Sequence, residues 1–359
     1  MSFFSKIKNI TRGDLFGVDI GTTAIKAVEL AGSKEKGFML SNYAIMEASG
    51  SLERSNGALQ SSNLKLLDTD IVSYLLMLRQ KAGFKSKSAV ASLPAFSGFS
   101  TLIDLPVGSD REIGQAVQFQ AKNYIPLPIT TVTLDWLKVG EKVDTGGKRT
   151  QQVLLISIPN ETVSLYDDIF SRAGFNLDSL ELEQISNARI LSLASKTAKL
   201  IIDIGGRSTS LGVAKEGNLK FAAQADFSSG SITQAFAQAL NISPRRAEDL
   251  KRNTNLASVG GETELSTIML PILDAILSEA KRAQAGFEKA YNEKVDGIIL
   301  TGSTANMKGL PEYVAQQLNL PAGKAHPFPN IGYPPEIEAA VDDLGPSLST
   351  SIGLALKNA

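Results

Sequence analysis

Apolar and polar positions follow two different rhythms along the 359-residue chain, and their first change of pace comes early. Residues 15–30, LFGVDIGTTAIKAVEL, hold an apolar run carrying one acid, Asp19, then a break at Gly21-Thr22-Thr23, then a second apolar run. Two such runs around a glycine turn predict a β-hairpin. Residues 200–219, LIIDIGGRSTSLGVAKEGNL, repeat this grammar about half a chain later: strand, acid (Asp203), Gly205-Gly206, hydroxyl residues, second strand. Repetition on that scale predicts a duplicated lobe.

Between the two hairpins the pattern predicts a third strand (GFMLSNYAIME) and a polar stretch over 48–63. A helix follows in TDIVSYLLMLRQKAGF, where Ile71, Val72, Leu75, Leu76 and Leu78 share a face and Gly83 stops it. SAVASLP is a strand. From 95 to 174 the order becomes strand (STLIDLPV), helix (SDREIGQAVQFQAKNYI), two strands (TTVTLDWLKV, QQVLLISIP) joined by the polar GEKVDTGGKRT, and helix (NETVSLYDDIFSRAGF). This is the pattern of a compact α+β insert. LDSLELEQISNARILSLA returns to the first lobe. The second half continues with ADFSSGSITQAFAQAL, the Arg-rich SPRRAEDLKR, a long helix through STIMLPILDAILSEAKRAQAGFEKAY, the strand DGIILTG, and helices in PEYVAQQL and SLSTSIGLALKN. Alternating strands and helices predict an α/β fold. The expected division is 1–94 and 175–199 for the first lobe, 95–174 for the insert and 200–359 for the second lobe, with a last helix at about 347–358 packing back between lobes.

Composition narrows the chemistry. Apolar residues make up 43% and charged residues 20%, the profile of a folded globular protein. A net charge of -1 provides no global field to recruit nucleic acid. The chain has no cysteine, hence no disulfide, thiolate nucleophile or cysteine zinc site. Its one histidine, His326, lies in the proline-rich AHPFPNIGYPP and reads as a surface residue, which argues against histidine metal sites and a hydrolase triad. No run approaches the roughly 18 apolar residues of a membrane span, and MSFFSKIKNI lacks the apolar centre of a signal peptide, so the expected location is cytoplasmic. Phe3, Phe4, Ile7 and Ile10 would share a helical face, either as an amphipathic anchor or as a tail that packs or frays. Trp136 is expected in the core rather than as a ligand platform.

The two hairpin turns are candidate phosphate sites. Small residues after a strand let backbone N–H groups approach phosphate oxygens, and hydroxyls add donors. A single copy reads equally as an ordinary hairpin. Two facing copies can clamp a polyphosphate, with Asp19 and Asp203 placed to balance a hydrated magnesium ion. Neither is a Walker loop. A third element, IILTGSTANMKGLPEYV (298–314), can lay an adenine or ribose against backbone at Gly302, or can be a plain strand-to-helix connection.

In their order, DIGTT, DIGGRSTSLGV, LTGSTANMKGL and SIGLALK resemble the phosphate, adenosine and connecting motifs of the actin, Hsp70 and sugar-kinase superfamily. Within it the chain resembles the PilM family of type IV pilus assembly proteins, relatives of FtsA, over about residues 15–357; QAKNYIPLPITTVTLDW is the most distinctive stretch. The resemblance implies a two-lobed actin-like ATPase, built of duplicated ribonuclease-H-like lobes, with ATP and Mg2+ in the cleft and at most slow hydrolysis. Asp19, Gly21, Thr22, Thr23 and Lys26 match the first phosphate loop, with Lys26 as the phosphate-facing cation. Asp203, Gly205, Gly206, Ser208 and Thr209 match the second, and Asp19 and Asp203 would hold the metal through water. Glu279 and Arg282 match an acid and base beside the adenosine, or form only a surface pair. Gly302, Ser303 and Asn306 match the adenosine loop, with Ser303 where the family often has a second glycine. LELEQIS matches the first connecting motif, making Glu181 and Glu183 candidate catalytic residues that orient water, or else solvated edge-strand residues.

The implied partners are the N-terminal cytoplasmic peptide of a PilN-like membrane protein and other pilus platform or motor proteins, with self-association possible. That partner would hold the protein at the inner face of the cell membrane; a related type II secretion platform is the neighbouring case. Alternatives are an FtsA-like membrane-tethering filament protein, against which the chain ends without an amphipathic tail, and a sugar-kinase-type phosphotransferase, which needs a substrate-deprotonating acid. In YIPLPITTVTL, Ile125, Leu127 and Ile129 are spaced by two with two prolines; they either line a peptide groove or pack within the insert.

Overall fold

The computed structural model describes residues 15–33, 35–47, 68–143, 147, 149–256 and 264–359. The face predicted from Phe3, Phe4, Ile7 and Ile10, the polar stretch 48–63 and part of the 140–150 loop lie outside the described residues.

The predicted hairpins form the centre of two sheets with one topology. In the first, β1 (Leu15–Ile20) pairs antiparallel with β2 (Ala24–Ser33), which pairs antiparallel with β3 (Gly37–Glu47). On its other side β1 pairs parallel with β4 (Ser88–Leu93), and β4 parallel with β8 (Asn176–Leu182). In the second sheet β9 (Ala198–Ile204), β10 (Thr209–Lys215) and β11 (Asn218–Ala225) form the antiparallel part. Here β12 (Val295–Thr301) and β13 (Ala322–Lys324) add the parallel strands. The strand orders β3-β2-β1-β4-β8 and β11-β10-β9-β12-β13 therefore match position by position. The first sheet also gains a two-residue edge strand, β14 (Ile331–Gly332), on β3.

Each sheet is covered by helices, as parallel strands require. Helices α1 (Asp68–Lys81) and α3 (Asn160–Arg172) cover one face of the first sheet with Leu75, Leu78, Ile169 and Phe170. Helix α4 (Glu183–Leu191) follows β8 directly. In the second lobe α5 (Ser229–Ala239), α7 (Glu264–Tyr291) and α8 (Leu310–Leu318) bury Ile232, Phe236, Leu273, Ile276, Phe287 and Val314 against the sheet, with α6 (Pro244–Asn253) beside them.

A third sheet, in the order β5 (Phe99–Pro106), β7 (Arg149–Pro159), β6 (Val132–Val143), is antiparallel throughout. Side chains alternate across its faces. One face, with Ile103, Leu105, Val153 and Leu155, meets Ile113 and Val117 of α2 (Asp110–Gln120), a helix opened by a Ser109–Glu112 capping box. The other face places Val139, Leu154, Ile156 and Ile158 in the core of the first lobe. Trp136 is half-buried against the α2 core. Ile125 is 6% exposed within that core and Ile129 packs on it, while Leu127 is 46% exposed. The three residues therefore do not form one extended row of anchors, because the turns around Pro126 and Pro128 direct two of them inward.

The last helix, α9 (Val341–Ala355), starts earlier than the expected 347. Gly345-Pro346 reads as a helix breaker, yet burial on both sides outweighs the lost backbone bond. A Cβ on Gly17 of β1 would lie 2.0 Å from the Ser351 carbonyl oxygen, and one on Gly353 would lie 2.1 Å from that of Ser186 in α4. The helix also takes hydrogen bonds from the second lobe, since the Pro346 carbonyl accepts from Gly302 N–H (2.9 Å) and Thr301 Oγ1 (2.9 Å). Gly17→Ala and Gly353→Ala should each destabilise the fold by about 1–3 kcal/mol through overpacking. Urea unfolding midpoints check this; unchanged midpoints would mean that α9 is not seated so closely.

Candidate functional site

The two β-hairpin turns have the same construction. Gly21 N–H donates to the Ala24 carbonyl at 3.0 Å, and Gly205 N–H to the Ser208 carbonyl at 3.1 Å. In both, a Cβ on the glycine would lie 2.9 Å from that carbonyl oxygen, so only glycine closes the turn without displacement. Two amides at the start of α5 brace the second turn: Ser229 N–H donates to Gly205 O (3.0 Å) and Gly230 N–H to Gly206 O (3.2 Å). Behind them the buried Lys251 of α6 bonds Ser229 Oγ (2.5 Å), Thr233 Oγ1 (2.9 Å) and Glu248 Oε2 (2.6 Å). The turns of the two lobes touch. A Cβ on Gly206 would lie 2.6 Å from Thr23 Cγ2 and 2.9 Å from Thr22 Oγ1.

Three carboxyl groups meet beneath the turns. Asp19 is buried, its Oδ1 accepting from Ser92 Oγ (2.7 Å) and its Oδ2 lying 3.7 Å from Lys26 Nζ. Asp203 Oδ2 accepts from Asn187 Nδ2 at 3.0 Å. Its Oδ1 lies under Gly302, where a Cβ would come within 2.6 Å, and Gly302 has φ +82°, so this position requires glycine twice over. Glu183 opens α4 and its Oε1 accepts from Ala95 N–H at 3.2 Å. Burial, with Asp203 and Asp19 nearby, pushes Glu183 up from the usual 4.5 to about 8. Burial also lifts Asp203 from 3.8 to about 6, with Lys26 opposing the shift and Asp19 adding to it.

Asp19, Gly21, Thr22, Thr23, Lys26, Glu183, Asp203, Gly205, Gly206, Ser208, Gly302 and Ser303 line one cleft. The remaining candidates lie outside that lining. Thr209 is buried behind the second turn, its Oγ1 donating to Phe227 O (2.8 Å). Asn306 ties its loop to the start of α9, donating to the Asp343 carbonyl at 2.8 Å. Glu279 and Arg282 pair with each other at 2.7 Å, and the Arg282 side chain is 74% exposed. Glu181 is held by Arg189 through two bonds of 2.6 and 2.7 Å, with Lys357 at 3.5 Å. Burial alone would raise Glu181, but these two cations outweigh it and keep the carboxyl below its usual range. Residues two apart on a strand share a face. The helix begins at Glu183, however, which turns that side chain into the cleft and leaves Glu181 on β8 with Arg189.

Sequence reasoning did not single out Ser92, Asn187, Phe96 or Arg207. The first two hold the aspartates from elsewhere in the fold, and only Arg207, inside the second turn, carried a local signal. Its guanidinium lies 3.9 Å from the centre of the Phe96 ring.

A family model described as type IV pilus assembly protein PilM matches residues 17–359. The chain belongs to the PilM family of type IV pilus assembly proteins. A solved structure described as a PilM-PilN type IV pilus biogenesis complex is similar at a TM-score of 0.81 and 21% identity, covering 96% of this chain and 98% of that one. The ethanolamine utilization protein EutJ from Carboxydothermus hydrogenoformans is similar at 0.53 and 16%, covering 97% and 91%. Cell division protein FtsA of Pseudomonas aeruginosa is 25% identical over 211 residues, 52% of this chain and 48% of FtsA. The chain thus spans about half the length of the curated relatives it matches. Family and fold make it an actin-like component of type IV pilus assembly, with the two lobes of the actin-like ATPases. Among the described residues no helix is long and apolar enough to cross a membrane, and no group of three acidic or histidine side chains is arranged to hold a metal ion.

The raised carboxyl groups set a pH dependence. Between its unfolded value near 4.5 and about 8, the folded chain holds a proton on Glu183 that the unfolded chain has released. That contribution to stability is complete below the window and is lost as pH rises through it; Asp203 does the same between 3.8 and about 6. The melting temperature should therefore fall from about pH 5 to about pH 8, and Glu183→Gln should flatten the fall. A Glu183→Gln profile parallel to the parent's would show that another group titrates there.

Proposed function

We propose that the cleft binds ATP with magnesium and that the protein works at the inner face of the cell membrane, where it docks the N-terminal cytoplasmic peptide of a PilN-like membrane protein. The observation that carries the nucleotide reading is the pair of identically built glycine turns, one from each lobe, meeting over Asp19 and Asp203. Gly21, Thr22, Thr23, Gly205, Gly206 and Ser208 offer backbone and hydroxyl donors to phosphate oxygens, and Lys26 adds a cation. Gly302 and Ser303 form the wall for the nucleoside. Asp19 and Asp203 suit a magnesium ion held through its water shell, which would supply charge neutralisation at the phosphates. Because Gly206 rests on Thr22 and Thr23, the lobes part to admit a polyphosphate.

Glu183 is the one acid of the connecting segment that faces this cleft, so it is the residue that orients an attacking water. In the empty cleft Glu183, titrating at about 8, is largely protonated at neutral pH, so it serves as a base only once bound magnesium eases its ionisation. Millimolar Mg-ATP should raise the melting temperature; a ligand at 100 times its dissociation constant adds about 2.7 kcal/mol. Asp203→Ala should shrink that rise. An unchanged midpoint in the parent protein would defeat the nucleotide reading.

The partner reading is supported by the similar PilM structure having been solved as a complex with PilN. The third sheet and α2 add surface that nucleotide binding does not need, and that surface is the docking site we assign. On it Phe119 is 71% exposed, with Lys122 Nζ 4.7 Å from its ring centre, and Tyr124 and Leu127 are exposed just beyond. Deleting residues 95–174 would strip Val139, Leu154, Ile156 and Ile158 from a shared core, so point changes are the cleaner test. Calorimetry with the PilN-like peptide should show Phe119→Ser with Leu127→Ser weakening binding about tenfold or more. Undiminished affinity in a normally melting double variant would move the docking site off this module.

A further inference from the structure

The second turn differs from the first in carrying a cation. Arg207 follows Gly205-Gly206, lines the cleft, and extends across it to Phe96, in the single-turn helix after β4 of the first lobe. Among the residues lining the cleft, Asp19, Glu183 and Asp203 are acidic, and Lys26 and Arg207 are basic. Lys26 already faces Asp19 at 3.7 Å. Asp226 is the acid whose charge reaches Arg207. A polyphosphate entering a cleft floored by Asp19 and Asp203 needs cationic contacts, and Arg207 is the one held by an aromatic ring rather than by a carboxylate of the cleft floor.

We infer that Arg207 is the residue by which this cleft distinguishes a nucleoside triphosphate from a diphosphate: it stacks on Phe96 when no terminal phosphate is present and moves onto the γ-phosphate when one is. The inference rests on the nucleotide reading of the cleft. The end of the cleft at issue is marked by Glu183, whose carboxyl takes the N–H of Ala95, the residue next to Phe96. A residue that orients water must lie beside the terminal phosphate, so Phe96 and Arg207 lie at that end too. A planar guanidinium binds phosphate oxygens through two parallel charge-assisted bonds, a stronger contact than stacking on a ring at a cleft mouth. The exchange is therefore favourable with a γ-phosphate in place. Without it, the ring keeps the guanidinium, and the stack bridges the two lobes.

Calorimetric titration of the full chain with Mg-ATP and with Mg-ADP tests this on the parent, Arg207→Ala, Arg207→Lys and Phe96→Leu. The parent should bind ATP about tenfold more tightly than ADP, a preference of the size one charge-assisted contact supports. Arg207→Ala should bring ATP affinity down to that for ADP while leaving ADP within about twofold, and Arg207→Lys should restore part of the preference. Phe96→Leu, which removes the competing ring, should tighten ATP binding and leave ADP unchanged. A preserved ATP-to-ADP ratio in Arg207→Ala, or an equal loss for both nucleotides, overturns the assignment while leaving the nucleotide reading intact. If Arg207→Ala does not fold, the same ratio in Arg207→Lys and Phe96→Leu decides. No binding of either nucleotide by the parent removes the nucleotide reading and this assignment with it.

Discussion

Two aspartates near the ends of central strands have to be solvated by the protein itself, and much of the architecture serves that need. An ionised carboxylate away from water is costly unless hydrogen bonds and counter-charge replace its hydration. Asp19 receives both, from Ser92 on the neighbouring strand and Lys26 directly across the hairpin. Asp203 receives the Asn187 amide and a share of the Lys26 field. Glu183 shares the same space with no cation beside it, and the Ala95 N–H and the Ser210 hydroxyl do not offset its burial next to Asp203 and Asp19. It settles by keeping its proton. Three carboxyl groups in one cleft therefore occupy three electrostatic situations, set by what each neighbouring element had left to donate.

Helix α9 links these provisions. Its Thr350 hydroxyl donates to Asn187 Oδ1 at 3.2 Å, leaving the Asn187 amide group to point at Asp203. Its Ser351 hydroxyl donates to the Lys26 carbonyl at 3.2 Å, and its Pro346 carbonyl holds the Gly302 N–H. One helix thus touches the strand carrying the first-turn cation, the support of the second aspartate and the nucleoside wall. The glycines at 17 and 353 permit this, because they let the helix backbone approach a strand and another helix more closely than any side chain would. Movement of either lobe is felt by α9 at several points together.

The doubled hairpin was legible because its grammar is local. A strand, an acid and a glycine turn sit within ten residues, and the turn needs glycine for a reason internal to it. The two matching sheets follow from reading that grammar twice. What escaped notice was supplied from outside each motif: Ser92 lies 73 residues from Asp19, and Asn187 lies 16 residues from Asp203, in the helix that precedes its strand. Nothing in SAVASLP or LEQISNARI marks a serine or an asparagine as a carboxylate's partner. Glu181 and Glu183 looked interchangeable because strand periodicity puts them on one face; a helix starting one residue after Leu182 separates them. The last helix starts at Val341 rather than about 347, because burial around Gly345 and Pro346 is tertiary and outweighs the backbone bond that Pro346 removes. Arg207 was in plain view within the second turn, and it took Phe96, from the other half of the chain, to give it a geometry.

The contact between the turns sets the terms on which any anion enters. With Gly206 lying on Thr22 and Thr23, the donors of both turns face a space that narrows where the lobes meet. Separating them exposes the carboxyl groups to water, which relieves the burial, and with it the mutual repulsion, that lifts Glu183 and Asp203. Refilling the gap with phosphate alone would set negative charge against three carboxyl groups. On the proposed reading a hydrated magnesium ion resolves this conflict, since it is attracted by the aspartates below and the phosphates above and lowers the cost of ionising Glu183. Nucleotide, metal and proton release are then linked in one equilibrium. The lobe contacts at Arg207–Phe96 and at Arg252–Glu47, 3.1 Å apart, oppose opening until that equilibrium is satisfied. A cleft built this way binds its ligand by replacing interactions it already makes with itself, which suits a part whose task is to hold one of two shapes more than one whose task is rapid turnover.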